Sequence, residues 1–305
     1  MTPPLEHWRA NPVVVEKKAE GHYFYDFGQE IVGHTRIRIR GPEGHKLEVR
    51  HGEGLSEPLT VRYDMRAKCL YQEFPILSGR EETIEFFDYR AFRYMEILNA
   101  PTEPEVWVDV RHHPFDPEAA TFNASDGLLM QIWQLCKNGV QCGAQGSFLD
   151  CPSREKGQYL GDALITGHSH VVLTGDRSLL AKAIQDFALS RRVCPGLMAV
   201  APGSFMQEIA EYSLQWPLVV RNYYDYTGDG VFVQHMLDEV LPGLFAYFGG
   251  FESESGLLTG MTEKWVLVDW PDNLRDGYDY DYAKHRENAV LNAFYYASLQ
   301  AAATL

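Results

Sequence analysis

The hydrophobic pattern of the chain changes its period about a third of the way along, and this change limits the possible folds. Up to about residue 100, apolar and polar residues alternate, as in Thr35–Arg40, Lys46–Arg50 and Arg93–Ile97. Alternation predicts strands with one buried face, and the Gly and Pro residues between them predict turns. From Ser125 onward the apolar residues recur at helical spacing. The sequence therefore predicts an antiparallel β-sandwich followed by a helical domain.

The boundary between the two parts lies in a proline-rich segment between residues 101 and 120. Val106–Val110 reads as a last strand, so the predicted domains are residues 1–115 and 116–305. Ser125 is the expected N-cap of the first helix. Helix–loop–helix units with long loops on one side predict an α/α toroid or a solenoid. Six helices are predicted, at about 126–135, 163–173, 178–191, 207–226, 231–248 and 287–305.

Composition narrows the class of function. The chain has 42 acidic and 27 basic residues, a formal net charge of −15 and no Lys/Arg run, so nucleic acid and anionic membranes are poor partners. Aromatic residues make up 13% of the chain and suit a neutral polar ligand such as a sugar. Without a membrane-length apolar run or a signal-peptide core, the chain as written is expected in the cytoplasm. No cofactor motif is present, and the cysteines are expected as reduced thiols.

A stretch between residues 147 and 163 holds three carboxylates, Asp150, Glu155 and Asp162. Pro and Gly residues interrupt this stretch, so the acids are expected on a bent loop, with Asp162 at the N-cap of the next helix. Glycoside hydrolysis needs one protonated carboxyl group for the leaving oxygen and a second, ionised one to activate water or attack the sugar. Glu155 is the favoured donor, because the neighbouring negative charges of Asp150 and Asp162 favour its protonated form.

Two further stretches place acids beside tryptophans. Glu211 and Trp216 stand at the start of a predicted helix, and Asp269 and Trp270 lie in a loop of about thirty residues, a length typical of functional loops. Carboxylates accept hydrogen bonds from sugar hydroxyls, and aromatic rings stack on a pyranose. The acids of the long loop lack calcium-loop spacing, so no metal is assigned. His168 and His170, two apart in a helix, are expected to face different sides as packing or surface residues.

These residues alone leave other functions open. One alternative is a non-catalytic carbohydrate-binding protein, because an incomplete pocket would bind a sugar without cutting it. Another is a different toroid enzyme, such as an unsaturated glucuronyl hydrolase or a polysaccharide lyase. A lyase needs a Tyr or His base and must neutralise the charge of an acidic sugar. Loops as rich in carboxylates as these are ill suited to that task. A suitably placed downstream Glu would favour hydrolysis.

The acidic stretch resembles the α-L-rhamnosidases of glycoside hydrolase family seventy-eight. Asp150–Glu155 is similar to the family's Asp-Cys-Pro-x-Arg-(x)-Glu segment, one residue shorter than in many members, and Gln158–Ala163 to its Gly-Trp-x-Gly-Asp-Ala segment, with Tyr159 in place of Trp. The resemblance covers nearly the whole chain. Its other landmarks are Tyr25–Gly28, Glu53–Leu55, Phe92–Ile97, Glu211–Leu214, Val268–Trp270 and Leu291–Ala297.

The resemblance implies an (α/α)6 barrel behind the β-sandwich and an inverting mechanism that releases terminal α-L-rhamnose. It makes Glu155 the general acid and puts Tyr159 at the sugar-platform position. Six helices are half of the twelve that such a barrel needs, and the family's general base belongs to the later half. We therefore expect a fragment that is inactive alone, with its base beyond Leu305. The residues predicted to bind the substrate are Asp150, Arg154, Tyr159, Asp162, Glu211, Trp216, Asp269 and Trp270.

Overall fold

The computed structural model describes residues 2–65, 69–202, 208–261, 263–264, 266 and 287–305, which form ten strands and then seven helices. The strands are β1 (Glu6–Ala10), β2 (Val14–Ala19), β3 (His22–Arg40), β4 (Glu48–Gly52), β5 (Leu55–Glu57), β6 (Thr60–Val61), β7 (Gln72–Glu73), β8 (Glu81–Glu85), β9 (Arg90–Leu98) and β10 (Glu105–His112). The helices are α1 (Gly127–Gly143), α2 (Leu160–Thr174), α3 (Ser178–Ser190), α4 (Ala210–Ser213), α5 (Trp216–Thr227), α6 (Gly230–Gly249) and α7 (Ala289–Thr304). Within the described residues, no helix combines the length and apolar character needed to cross a membrane.

The long strand β3 organises the β-domain. Its first half pairs with β2 and β9, and its second half pairs with β10 and β8, always antiparallel. All these strands thus belong to one eight-stranded antiparallel sheet centred on β3, and the core of the sandwich domain includes Tyr25, Ile37 and Phe92. The predicted strands at 23–27 and 35–40 are therefore parts of one strand. Gly28, with φ of 82°, lies at an irregularity in the register, so the chain bends there without leaving the sheet.

Two helix starts differ from the prediction. Asp126, not Ser125, caps α1, because its carboxylate accepts a hydrogen bond of 2.8 Å from the Leu128 amide. Tyr159 occupies the N-cap position of α2, so the prediction that Asp162 is the N-cap is wrong. Asp162 lies in the first turn instead, where the positive end of the helix dipole favours a carboxylate.

The predicted helix at 207–226 is two helices in the described residues, α4 and α5. Pro217 lies in the first turn of α5 and has no amide hydrogen to continue a helix that started earlier. The described residues therefore contain seven helices, where six were predicted. Helix α2 packs against α1, α3 and α5, and α5 packs against α7.

The β-sandwich and the helical domain meet along α1. Val32 and Ala91 from the sandwich form a buried cluster with Cys142 from α1. The carbonyl oxygen of Glu30 accepts a hydrogen bond of 3.1 Å from the Asn138 side chain. This contact places the sandwich beside the loop between α1 and α2, where Glu155, the predicted general acid, lies.

Candidate active site

The acid loop, defined here as residues 150–157, is closed by hydrogen bonds between its two ends. The Asp150 amide donates to the Gly157 carbonyl oxygen at 2.8 Å, and the Gly157 amide donates to Asp150 Oδ1 at 2.9 Å. The Cys151 thiol donates to Asp150 Oδ2 at 3.1 Å, and the Glu155 amide donates to the same sulfur at 3.4 Å. The Asp150 carboxylate therefore holds the loop in shape, whatever else it binds.

Glu155 is partly exposed and is held by the two side chains predicted to accompany it. Arg154 Nη1 lies 2.5 Å from Glu155 Oε1, and the Tyr159 hydroxyl donates to Oε2 at 2.7 Å. Both oxygens thus have a partner, which fixes the direction in which the carboxyl group points. Both contacts also stabilise the carboxylate that remains after a proton has been given away.

Tyr159 lies at the site, but it is buried, whereas an exposed ring face was predicted. Tyr159 is only 7% exposed, and it packs with Val200 and Ile209, with the ring of Tyr212 edge-on at a centroid distance of 6.4 Å. A ring covered to this extent has little face left for stacking on a sugar. The sugar-platform prediction is corrected accordingly: Tyr159 contributes its hydroxyl to Glu155, and its ring belongs to the packing beneath the loop.

The carboxyl group of Asp162 has a raised pKa. Burial, followed by the nearby negative charges of Asp150 and Glu155, raises the pKa of Asp162 to about 6. A carboxyl group in this range is partly protonated near neutral pH and can either donate or accept a hydrogen bond. Asp162 can therefore either donate a hydrogen bond to a ligand or accept one from it.

The raised pKa of Asp162 predicts that the wild type and an Asp162→Asn variant differ in stability by an amount that depends on pH. The folded protein favours the protonated form, so stability is highest below the unfolded-state pKa and is lost as pH rises through about 6. Asp162→Asn removes this loss, and we expect its free energy of unfolding to exceed the wild-type value by about 1–2 kcal/mol at neutral pH. Urea unfolding across a pH series measures the difference. It should vanish near the unfolded-state pKa, and a difference that stays constant with pH would contradict the raised pKa.

Glu211 is brought to the same acidic centre by the chain fold. It is buried, in the first turn of α4, next to Tyr212. The Tyr212 ring also packs against Gly161, where an added Cβ would lie 2.8 Å from the ring, so only glycine fits there. Burial first, and then four nearby carboxylates, raise the pKa of Tyr212 to about 12. Those carboxylates are Asp162, Glu211, Asp150 and Glu155.

Trp216 does not reach the site, and its predicted role in substrate binding is corrected. It is fully buried in the helical core, and its Nε1 donates to the Ile184 carbonyl oxygen at 3.1 Å. Trp216 is the first residue of α5, and its side chain packs between the helices instead of lying beside the acid loop. The other predicted aromatic contact, Trp270, and its neighbour Asp269 lie outside the described residues.

Lys156 ties the acid loop to the β-sandwich. Its ammonium group lies 2.8 and 2.9 Å from the two Asp88 carboxylate oxygens, 2.8 Å from the Tyr89 carbonyl oxygen and 3.8 Å from the centre of the Tyr89 ring. Its backbone has φ of 55°, an uncommon conformation for a residue with a side chain. The Tyr71 hydroxyl also donates to the Ser153 carbonyl oxygen. The sandwich thus holds the loop at two points.

Sequence reasoning missed Lys156 and Tyr212 as parts of the site. Lys156 meets Asp88 across 68 positions of the chain, and no periodicity within the loop signals such a contact. Its position directly after Glu155 was visible, but its partners were not. Tyr212 was visible only as the neighbour of Glu211.

Lys156→Met tests whether this tie positions the acid. Methionine keeps the apolar stem and removes the charge, so we expect kcat to fall about 10–100-fold, because a small displacement of a catalytic group is enough for such a loss. KM should change little, and the loss should be larger for substrates with a poor leaving group, measured in the longest active chain. Lys46→Met is the matched control, since Lys46 also lies over an aromatic ring, Phe74, at 4.3 Å. Equal losses in both variants, or an equal loss for good and poor leaving groups, would contradict a positioning role.

A β-sandwich followed by a helical domain whose first long loop carries the acids is the domain order expected of a glycosidase with a helical-hairpin catalytic domain. Family models agree with this class. The model of the bacterial alpha-L-rhamnosidase concanavalin-like domain matches residues 16–112, and that of the bacterial alpha-L-rhamnosidase 6 hairpin glycosidase domain matches residues 117–305. The second match alone covers more than half of the chain, and the chain belongs to the bacterial α-L-rhamnosidase family.

Individual proteins show the same similarity. An alpha-L-rhamnosidase from Formosa agariphila is 24% identical over 294 residues, which cover 85% of this chain and 29% of that protein. A GH78 family rhamnosidase from Bacillus sp. GL1 shares the fold with a TM-score of 0.80 at 19% identity, over 94% of this chain and 30% of that one. A rhamnosidase from Klebsiella oxytoca with rhamnose bound has a TM-score of 0.75 at 19% identity, over 99% of this chain and 70% of that one. The chain thus spans less than a third of the length of the first two proteins.

Proposed function

We propose that this chain serves a glycoside hydrolase that releases terminal α-L-rhamnose from rhamnosides, with Glu155 as the general acid. The observation that carries the proposal is the Glu155 carboxyl group, held by Arg154 and Tyr159 on a loop that is closed on itself and tied to a second domain. Family membership and the names of the relatives, alpha-L-rhamnosidases, support rhamnosides as the substrate class.

The arrangement suits protonation of a leaving group. Protonated Glu155 gives its proton to the glycosidic oxygen as the bond to the sugar breaks, so the aglycone leaves as an alcohol. The resulting carboxylate keeps its contacts with Arg154 and Tyr159. Asp162 and the buried Glu211 are proposed to hold rhamnose hydroxyls, because carboxyl groups form strong hydrogen bonds to them. The Asp150 carboxylate is proposed to accept a hydrogen bond from a rhamnose hydroxyl as well, through the lone pairs that its loop contacts leave unused.

Inversion at the anomeric carbon is a further part of the proposal. An inverting enzyme needs a second carboxylate about 6.5–9.5 Å from the acid, with room between them for the attacking water. In the family that the sequence resembles, this base belongs to the later half of the barrel, and the residue that would serve as base is not assigned here. Proton NMR of the rhamnose anomer formed first tests inversion, because retention would give the opposite anomer.

The experiment that tests the function is rhamnose release from an aryl α-L-rhamnoside. The 305-residue chain and the longest chain that the gene encodes are assayed side by side. Release by the longer chain alone supports both the activity and a base outside these residues. Release at equal rates supports the activity and contradicts the predicted position of the base. Binding of rhamnose without release by either chain would favour a carbohydrate-binding protein.

A further inference from the structure

A second cluster of chemically reactive side chains lies away from the acid loop, where the two domains meet. His113 directly follows β10 of the sandwich, His170 lies on α2, and Asp176 follows α2. One ligand atom from each of the three residues lies within 4.8 Å of the others. Both histidines are buried, and Asp176 is about one-third exposed at its side chain. None of these residues has a part in the proposed hydrolysis.

Two members of the cluster already contact each other. His113 Nε2 lies 2.7 Å from Asp176 Oδ2. The carboxylate is oriented from the other side by Ser178, whose amide donates to Oδ1 at 3.0 Å and whose hydroxyl donates to Oδ2 at 2.9 Å. The carboxylate is therefore fixed in place by groups that would form the outer shell of a metal site.

The burial of the polar His170 ring is not explained by its contacts with the surrounding protein. It is fully buried, and its ring meets the rings of His113, Phe115 and Phe148 at centroid distances of 5.5, 6.0 and 5.5 Å. Among the described residues, neither ring nitrogen makes a hydrogen bond of good geometry, and the Asp176 backbone is close enough only for a weak one. Buried polar atoms without a partner are rare, because water satisfied them in the unfolded chain.

We propose that His113, His170 and Asp176 form a binding site for a zinc-type divalent metal ion. Two imidazoles and one carboxylate are a common ligand set for zinc, with a water molecule in the fourth position. Calcium and magnesium are excluded as the preferred ions, because both favour sets of six or more oxygen ligands. The ion takes the place of the proton between His113 Nε2 and Asp176, and Nδ1 of His113 then carries the ring proton.

The geometry requires movements of about an ångström at the ligand atoms. Zinc bonds of about 2.0–2.2 Å in a tetrahedral arrangement separate the ligand atoms by about 3.3–3.5 Å. The contact between His113 and Asp176, now 2.7 Å, therefore widens by about 0.6–0.8 Å, and the His170 ligand atom, now within 4.8 Å of the others, moves closer by up to about 1.5 Å. The bound ion joins the end of the last sandwich strand to the end of α2. Because α2 begins at Leu160, next to the acid loop, the ion would stabilise the junction that supports the proposed active site.

Metal titration of the purified protein tests the site. The protein is first stripped with a chelator and then titrated with Co²⁺, whose visible absorption is strong only in tetrahedral sites, and the bound Co²⁺ is competed with Zn²⁺. We expect one equivalent of Co²⁺ with a tetrahedral spectrum, its displacement by Zn²⁺, and a higher melting temperature with Zn²⁺ than without it. Absence of a tetrahedral cobalt spectrum would overturn the proposal.

Variants separate this site from metal bound elsewhere. His170→Phe fits the aromatic surroundings, and Asp176→Asn keeps an acceptor for Ser178, so both should fold. We expect each to weaken Co²⁺ binding at least 100-fold, while His168→Phe, an exposed position on the same helix, leaves it unchanged. Without metal, His170→Phe should melt no lower than the wild type, because phenylalanine needs no hydrogen bond. If the two ligand variants bind Co²⁺ as the His168 variant does, the three residues are not its ligands.

Discussion

Replacing Glu155 with Gln is expected to lower kcat for rhamnoside hydrolysis by about 10²–10⁴-fold, the usual contribution of a general acid. Glutamine keeps the size and the hydrogen bond from Tyr159 but has no proton to give to the leaving oxygen. The loss should be greatest for an alkyl rhamnoside and smaller for a nitrophenyl rhamnoside, whose leaving group departs without protonation. Initial rates with both substrates, in the longest active chain, measure this difference.

Glu252→Gln is the matched control for this variant. Glu252 also accepts a hydrogen bond from a tyrosine hydroxyl, that of Tyr295, but has no part in the acid loop. Its replacement should leave kcat and the leaving-group dependence unchanged. If the Glu155 variant hydrolysed both substrates at the wild-type rate, another group would have to supply the proton, and the assignment of Glu155 would be wrong.

Trp216→Ala is expected to lower the free energy of unfolding by about 3–5 kcal/mol, the range for removing a large buried aromatic side chain. The ring is fully buried among the helices, and its Nε1 donates to the Ile184 carbonyl oxygen. The substitution leaves a cavity and removes this hydrogen bond. Chemical denaturation at neutral pH measures the loss, and far-UV circular dichroism shows whether the variant is folded beforehand.

Trp216→Phe separates the packing of this residue from its hydrogen bond. Phenylalanine retains most of the ring volume, so we expect a smaller loss, of which about 1 kcal/mol reflects the missing donor. The KM of whichever variant is folded should stay near the wild-type value, because the ring does not face the acids. Unchanged stability together with a raised KM would instead support the original prediction that Trp216 contacts the substrate.

Much of the architecture follows from local sequence patterns. Strict alternation in segments such as Thr35–Arg40 predicts strands, because side chains alternate between two faces. The change to helical spacing after Ser125 predicts the helical domain, and both predictions are confirmed. The errors lie where one residue decides a boundary. Pro217 divides one predicted helix into two, and Gly28 bends a strand that it does not end.

The candidate site was predicted in part. Asp150, Glu155 and Asp162 were visible because a loop broken by proline and glycine brings nearby residues together. The structure places them in one acidic centre with Glu211, which is 49 positions after Asp162. Sequence alone did not show where the aromatic rings face. Exposure of a ring depends on which helix or sheet packs on it, and a tryptophan fits a core as well as a sugar site.

The sequence by itself determined the order of the two domains, the strand or helix character of their elements and the composition of the acid loop. All three depend on residues that are close together in the chain. Only the tertiary structure decided that Trp216 is core, that Tyr159 holds Glu155, and that Lys156 binds the loop to Asp88. The same is true of His113 and His170, which meet only where the domains join. Such contacts depend on how distant elements pack, and no local pattern records them.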